Sequence, residues 1–251
     1  MSSANSVCSP MEVNLKLPKT EGSNKDKVCT LPYRELVGSL TYLSTATRPD
    51  IAHAANVLSQ YNTCFGEVHW TAAKRVLRYL KETMDLGISY QRKNESLVGY
   101  ADADWRGCQH DRRSHTGYAF ILGGEAISWE SWKQKTVALS STEAEYMSLS
   151  EATKEAIYLR KLLTDFGLEE LPVIKLFGDN QSALRLAEDP VFHNRTKHID
   201  IRHHFVRDAV RNNLVTLEYA PSDRMAADVL TKALSGPKHG TTMFYKYNYT
   251  F

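Results

Sequence analysis

Three apolar runs stand close together in the middle of the chain: Ser96-Leu-Val-Gly-Tyr-Ala-Asp102, Gly117-Tyr-Ala-Phe-Ile-Leu122 and, after Gly123-Gly124, Ala126-Ile-Ser-Trp-Glu130. Each has the length of a strand and is rich in apolar and aromatic residues, and a glycine pair suits a tight hairpin. They predict three antiparallel strands in succession. Downstream, Ser141-Thr-Glu-Ala-Glu145 opens a long helix to about Phe166, with Ser141 as its cap and Gly167 as its stop. Val173-Ile-Lys-Leu-Phe177 reads as a fourth strand and Leu214-Val-Thr-Leu-Glu-Tyr219 as a fifth. Helices are expected over 181–187, 198–212 and 226–232. The order β-β-β-α-β-α-α-β-α is that of an α/β domain, a mixed five-stranded sheet with helices packed on it.

Upstream the period is helical. Leu36, Val37, Leu40 and Leu43 recur at helix spacing, Thr47-Arg-Pro-Asp50 interrupts them, and Pro49 suits the first turn of a helix through Leu58. A third helix from His69 to Asp85 carries Trp70, Ala73, Val76, Leu77 and Leu80 on one stripe. Lys74, Arg75, Arg78 and Lys81 lie off it, as candidates to grip nucleic-acid phosphates or as an ordinary solvated face. The reading divides the chain into a flexible segment (1–30), a small helical unit (31–93), the α/β domain (94–234) and a peripheral tail (235–251). Within the helical unit, Ile88-Ser-Tyr90 is expected to be a short strand.

The 251 residues are 42% hydrophobic and 24% charged with a net charge of +2, which excludes wholesale disorder. No run of about 18 apolar residues predicts a membrane span, and the opening residues lack a signal-peptide pattern. Four widely spaced cysteines without a C-x-x-C pair argue against a zinc knuckle or disulfide framework and for a reducing, intracellular setting.

Four acidic residues stand where acids are unexpected. Asp102 ends an apolar strand, Glu145 precedes Tyr146, Met147 and Leu149 in a helix, Asp179 follows the fourth strand, and Asp228 is flanked by Ala226, Ala227, Val229 and Leu230. A carboxylate near a core is costly unless paired or metal-bound. In this topology the first and fourth strands end side by side, so the acids can converge. Oxygen ligands without cysteine favour Mg²⁺ or Mn²⁺.

The motifs Gly99-Tyr-Ala-Asp-Ala-Asp-Trp105, Ala138-Leu-Ser-Ser-Thr-Glu-Ala-Glu-Tyr146, Gly178-Asp-Asn-Gln-Ser182, Arg195-Thr-Lys-His-Ile-Asp-Ile201 and Met225-Ala-Ala-Asp-Val-Leu-Thr-Lys232 together resemble the ribonuclease H domain of copia-type retrotransposon Pol polyproteins. Upstream, Tyr33–Leu43, Thr47–Ile51 and Val76–Leu80 look like the thumb and connection that precede that domain. The resemblance spans about residues 30–234. It implies a ribonuclease H-like fold with metal ligands at Asp102, Glu145, Asp179 and Asp228, and sets aside the nearby rivals Asp104 and Glu143. It also implies a Gln181 that touches the RNA sugar.

The implied activity is hydrolysis of the RNA strand of an RNA–DNA hybrid with two Mg²⁺ or Mn²⁺ ions about 4 Å apart. The implied setting is cytoplasm, nucleus or a virus-like particle, with the rest of a reverse transcriptase polyprotein as a further partner. The polymerase's own Asp-Asp motif is absent. So is the histidine that relatives often carry before the last ligand: Tyr219-Ala-Pro-Ser-Asp-Arg-Met225 has none. A second reading of the same motifs is a nucleic-acid-binding remnant without turnover.

Overall fold

A computed structural model describes residues 4–18, 31–90, 95–108, 110–168, 171–188 and 197–240, with 197–203 described by backbone alone. Its elements are α1 (Tyr33–Ala46), a 3₁₀ turn (Pro49–Ile51), α2 (Ala52–Ser59), α3 (Glu67–Glu82), β1 (Val98–Asp104), β2 (His115–Leu122), β3 (Glu125–Lys133) and α4 (Ser141–Asp165). There follow β4 (Ile174–Gly178), α5 (Gln181–Glu188), α6 (Lys197–Arg211), β5 (Val215–Tyr219) and α7 (Asp228–Thr231).

The five strands form one sheet in the order β3-β2-β1-β4-β5. β1 pairs antiparallel with β2 and parallel with β4, and β5 runs parallel to β4. The glycine hairpin is as expected: Gly123 and Gly124 have φ of 65° and 87°, and β2 returns as β3.

Side chains alternate across a strand, and β2 uses both faces. Tyr118 and Phe120 join the main core with Tyr146, Leu149, Ala152 and Ala156 of α4, and with Leu176 and Val215 of the parallel strands. Ala119, between them, lies in a second layer with Ala52, Ala126, Val229, Leu230 and Leu234, where the helical unit and α7 cover the other face. Trp129 Nε1 donates to Ser44 O at 2.7 Å, tying β3 to α1. Small residues at Ala119 and Gly117 permit this approach. A Cβ on Gly117 would lie 2.6 Å from Leu230 Cβ.

The helical unit has its own core of Tyr33, Val37, Leu40, Ile51, Leu58, Ala73, Val76 and Tyr79. The Thr47–Asp50 interruption makes a buried ion pair, Arg48 with Asp50 at 2.6 Å, and Tyr79 Oη donates to Asp50 Oδ2 at 2.8 Å. Such a pair is tolerable inside because both carboxylate oxygens find donors. No helix among the described residues is long and apolar enough to cross a membrane.

Four expectations are corrected. The opening segment is not loose over residues 4–18: Met11 and Leu17 are buried in the helical core, and Tyr61 Oη donates to Leu17 O. These apolar residues insert singly, so no periodicity announces them. The start of the tail is not peripheral either. Residues 236–240 are helical, Leu234 and His239 are buried, and His239 Nε2 lies 3.1 Å from Tyr79 Oη. Residues 88–90 form no strand, although Tyr90 Oη donates to Ala126 O. The cap of α4 is Ser140 rather than Ser141, its side chain accepting from Glu143 N. Residues 1–3, 19–30 and 241–251 lie outside the described residues, as do Arg195 and Thr196 of the fourth motif.

Candidate active site

The site forms where β1 and β4 end side by side. Asp102 lies on β1 opposite Gly117 of β2 and is held from behind by Ser148, whose hydroxyl donates to Asp102 O at 2.9 Å. Glu145 comes from the first turns of α4, and Asp179 follows Gly178 at the end of β4. One oxygen from each of these three residues lies within 4.8 Å of the others, close enough for all three to hold one metal ion. Asp102 and Glu145 are buried and Asp179 is half-buried.

Packing three carboxylates in poor solvent must disfavour their ionised forms. Burial, partly offset by Lys232 and reinforced by Asp228, pushes the Asp102 carboxyl up to about 6. Burial first, then the charges of Asp102 and Asp179, holds Glu145 well above the usual carboxylate range. Asp102 Oδ1 is buried without a hydrogen-bond partner among the described residues. A divalent cation fits this donor set: three hard oxygens, an unsatisfied buried lone pair, and charge that nothing else fully offsets.

Asp228 is not part of that triad. It starts α7, fully buried, and both its oxygens face lysines: Oδ1 lies 3.0 Å from Lys232 Nζ, and Oδ2 accepts from Lys238 Nζ at 2.9 Å. Lys232 also lies 3.5 Å from Asp102 Oδ2, which accepts a hydrogen bond from Thr231 Oγ1 as well. Burial alone would lower the Lys232 ammonium, but the Asp102 and Asp228 carboxylates outweigh it and hold the lysine charged.

The two rivals are not among the three residues whose oxygens converge. Glu143 Oε2 accepts from Leu139 N at 2.8 Å, which secures the entry of α4. Asp104 ends β1, with its carboxyl raised by burial.

Gln181 is exposed at the start of α5, two residues past Asp179, whose Oδ2 accepts from Ser222 Oγ at 2.7 Å. Arg75 and Arg78 are occupied by the opening segment: Arg75 pairs with Glu12 at 2.8 Å, and Arg78 donates to Asn5 O. Lys74 Nζ lies 5.9 Å from the Trp70 ring centroid. The two arginines named as candidates to grip phosphate thus have partners in the opening segment.

Sequence reasoning missed Lys232, Lys238, Thr231 and Ser222. Lys232 carried a readable signal, four residues beyond Asp228 on one predicted helix. Lys238 carried none, since it returns to Asp228 only through the fold of the tail.

A sheet of three antiparallel strands extended by two parallel ones, with Asp102 and Asp179 toward the carboxyl ends of the adjacent strands β1 and β4, is the ribonuclease H-like fold. Comparison with known proteins then fixes the family. The chain is 40% identical over 238 residues to the retrovirus-related Pol polyprotein from transposon TNT 1-94 of Nicotiana tabacum, and 42% identical over 236 residues to that from transposon RE2 of Arabidopsis thaliana. These matches cover 93% and 94% of the chain but only 18% and 16% of the polyproteins. A secreted RxLR effector protein 161 of Plasmopara viticola is 54% identical over 130 residues, covering 51% of this chain and 92% of that one. The chain belongs to the copia-type retrotransposon Pol polyprotein family. No family model matches it. The crystal structure of LC11-RNase H1 with an RNA/DNA hybrid aligns over 54% of the chain and 94% of its own, with 16% identity and a TM-score of 0.40.

Proposed function

We propose that this chain is the ribonuclease H of a retrotransposon Pol polyprotein and cleaves the RNA strand of RNA–DNA hybrids with divalent metal. The observation that carries this reading is the convergence of Asp102, Glu145 and Asp179 from β1, α4 and the end of β4 within 4.8 Å. Three buried or half-buried carboxylates aimed at one point cost stability unless a cation joins them.

Asp102, Glu145 and Asp179 hold the Mg²⁺ or Mn²⁺, with Asp228 as the fourth acid of the family's set. A divalent metal held there would supply a lower pKa to the attacking water and charge to stabilise the departing 3′ oxygen. The remaining work belongs to the chain. Ser148 and Ser222 orient Asp102 and Asp179, and the Lys232 ammonium offsets negative charge beside the reacting phosphate. Gln181, exposed beside Asp179, contacts the sugar of the RNA strand, whose 2′-hydroxyls distinguish it from DNA across the minor groove. Lys74 on α3 meets phosphate. An intracellular setting, where hybrids arise, follows from this role.

The test is cleavage of an end-labelled RNA–DNA hybrid with Mg²⁺ or Mn²⁺. Asp179→Asn is expected to abolish it while the circular dichroism spectrum is unchanged; full activity in that variant would refute the site. The second reading, a binding remnant, is favoured by one observation: Asp228 is engaged by two lysines. Salt-sensitive hybrid binding without cleavage at any metal concentration would decide for it.

A further inference from the structure

Between the helical unit and the carboxyl end of β1 lies a cavity of about 700 Å³, a volume within the range of small-molecule sites. The opening segment forms its roof and turns over it at Asn14, where φ is 60°. Leu17 O ties that roof to both sides. It accepts from Tyr61 Oη, beyond α2, at 2.9 Å, and lies 2.7 Å from His110 Nε2 of the loop between β1 and β2. One wall is apolar, made by Met11, Leu17, Val57 and the ring of Tyr61, while His53 and His115 stand on the other.

The chemistry of these walls narrows the ligand. His53 and His115 are more than nine-tenths buried, and their rings meet edge to face with centroids 5.1 Å apart. The Nδ1 of each has no hydrogen-bond partner among the described residues. Burial holds both imidazoles below their usual range, so at neutral pH they bring an anion no charge. Lys232, also on the wall, is already shared by Asp102 and Asp228. A metal ion does not suit the cavity either: among the described residues, no three of its histidine, cysteine and carboxylate groups come within reach of one ion. A wholly apolar guest would leave buried imidazoles bonded to nothing. What fits is a flat, neutral group with a polar edge and apolar faces.

The cavity also adjoins the carboxylates. Lys232 Nζ lies 3.5 Å from Asp102 Oδ2, and Asp104, on the cavity wall, is two residues past Asp102. A strand with a phosphate at the acidic site has its neighbouring nucleotide at the cavity mouth. The geometry points to this cavity as a pocket for one unpaired nucleobase of a strand held at the acidic site. His53 and His115 meet the polar edge of the base, and Tyr61 with the apolar side chains packs on its faces. Lys16, exposed on the roof, meets the phosphate of the same nucleotide. Extruding a paired base costs unpairing and unstacking, a cost that is least for a base already unpaired. The chain therefore prefers hybrids carrying an unpaired nucleotide to perfect duplexes. The inference rests on the hybrid reading of the acidic site for its ligand, but its test needs no cleavage.

The experiment measures binding of the full chain to two end-labelled RNA–DNA hybrids by fluorescence anisotropy, without divalent metal so that nothing is cut. One hybrid is fully paired; the other carries a single unpaired 2-aminopurine nucleotide in its RNA strand. The second is expected to bind about tenfold more tightly. Val57→Trp, which fills the cavity from its apolar wall, is expected to bring that ratio to about one. Should Val57→Trp not fold, Gln60→Trp fills the cavity from a half-buried position just past α2.

Equal affinities in the wild type would overturn the inference, even if free 2-aminopurine riboside binds, since the pocket would then serve a free nucleoside. So would a preference that survives the filled cavity. A preference that collapses on filling, in a chain that cuts no hybrid when metal is added, would remove the ribonuclease reading and leave this one standing. Cleavage by a wild type with equal affinities would do the reverse.

Discussion

Metal loading should be strongly acid-sensitive, and the size of the effect follows from Asp102. A carboxyl must lose its proton to ligate, so affinity scales with the ionised fraction. With the Asp102 carboxyl raised to about 6 by burial, about a tenth of it is protonated at pH 7 and about nine-tenths at pH 5. Apparent Mn²⁺ affinity should therefore fall about tenfold between those pH values from Asp102 alone. Glu145, held well above the usual carboxylate range by burial and by its two acidic neighbours, steepens the fall.

The sign is fixed. A raised carboxyl favours protonated, metal-free protein as pH falls, and binding at pH 6 should release protons to the buffer. Titration calorimetry at pH 7, 6 and 5, in two buffers of different ionisation enthalpy, measures both the affinity and the proton count. An affinity flat from pH 7 to 5 with no protons released would refute the reasoning, because it would require Asp102 to be ionised throughout.

His239 offers a second pH test: burial lowers it to about 4, so its contribution to stability is lost as pH falls from its unfolded value near 6.5 toward 4. The stability gap between wild type and His239→Gln, read by urea melts, should narrow by about 2 kcal/mol from pH 7.5 to pH 5; a gap independent of pH would count against a buried neutral imidazole. Gly117→Ala places a Cβ 2.6 Å from Leu230 Cβ and should destabilise by about 1–3 kcal/mol, measured by the same melts. Removing residues 1–18 should uncover Arg75 and Arg78 and tighten hybrid binding at low salt, at some loss of melting temperature because Met11 and Leu17 leave the helical core; unchanged affinity by fluorescence anisotropy would show those arginines idle.

The sheet was legible because its signals are local. Val98–Asp104 and the Gly123–Gly124 hairpin declare themselves by composition within a few residues, and the long α4 declares its period and its stop at Gly167. The acids stood out for a different reason: Asp102, Glu145, Asp179 and Asp228 each interrupt an apolar context, and the first three of them converge in the structure. What could not be read was pairing across long separations. Lys238 meets Asp228 through a turn in the tail, and Arg75 meets Glu12 across the helical unit, contacts that no periodicity encodes. Nor does sequence say that Glu143 spends its carboxylate on Leu139 N while Glu145, two residues on, turns toward Asp102.

The layer of Ala52, Ala119, Ala126, Val229, Leu230 and Leu234 has a practical meaning for anyone wishing to dissect this molecule. A fragment trimmed to begin at residue 94 would strip its cover from a greasy patch on the back of the sheet, and would take Ser44 away from Trp129. Insolubility of such a trimmed piece would then report an unroofed surface, and would say nothing about the competence of the carboxylates.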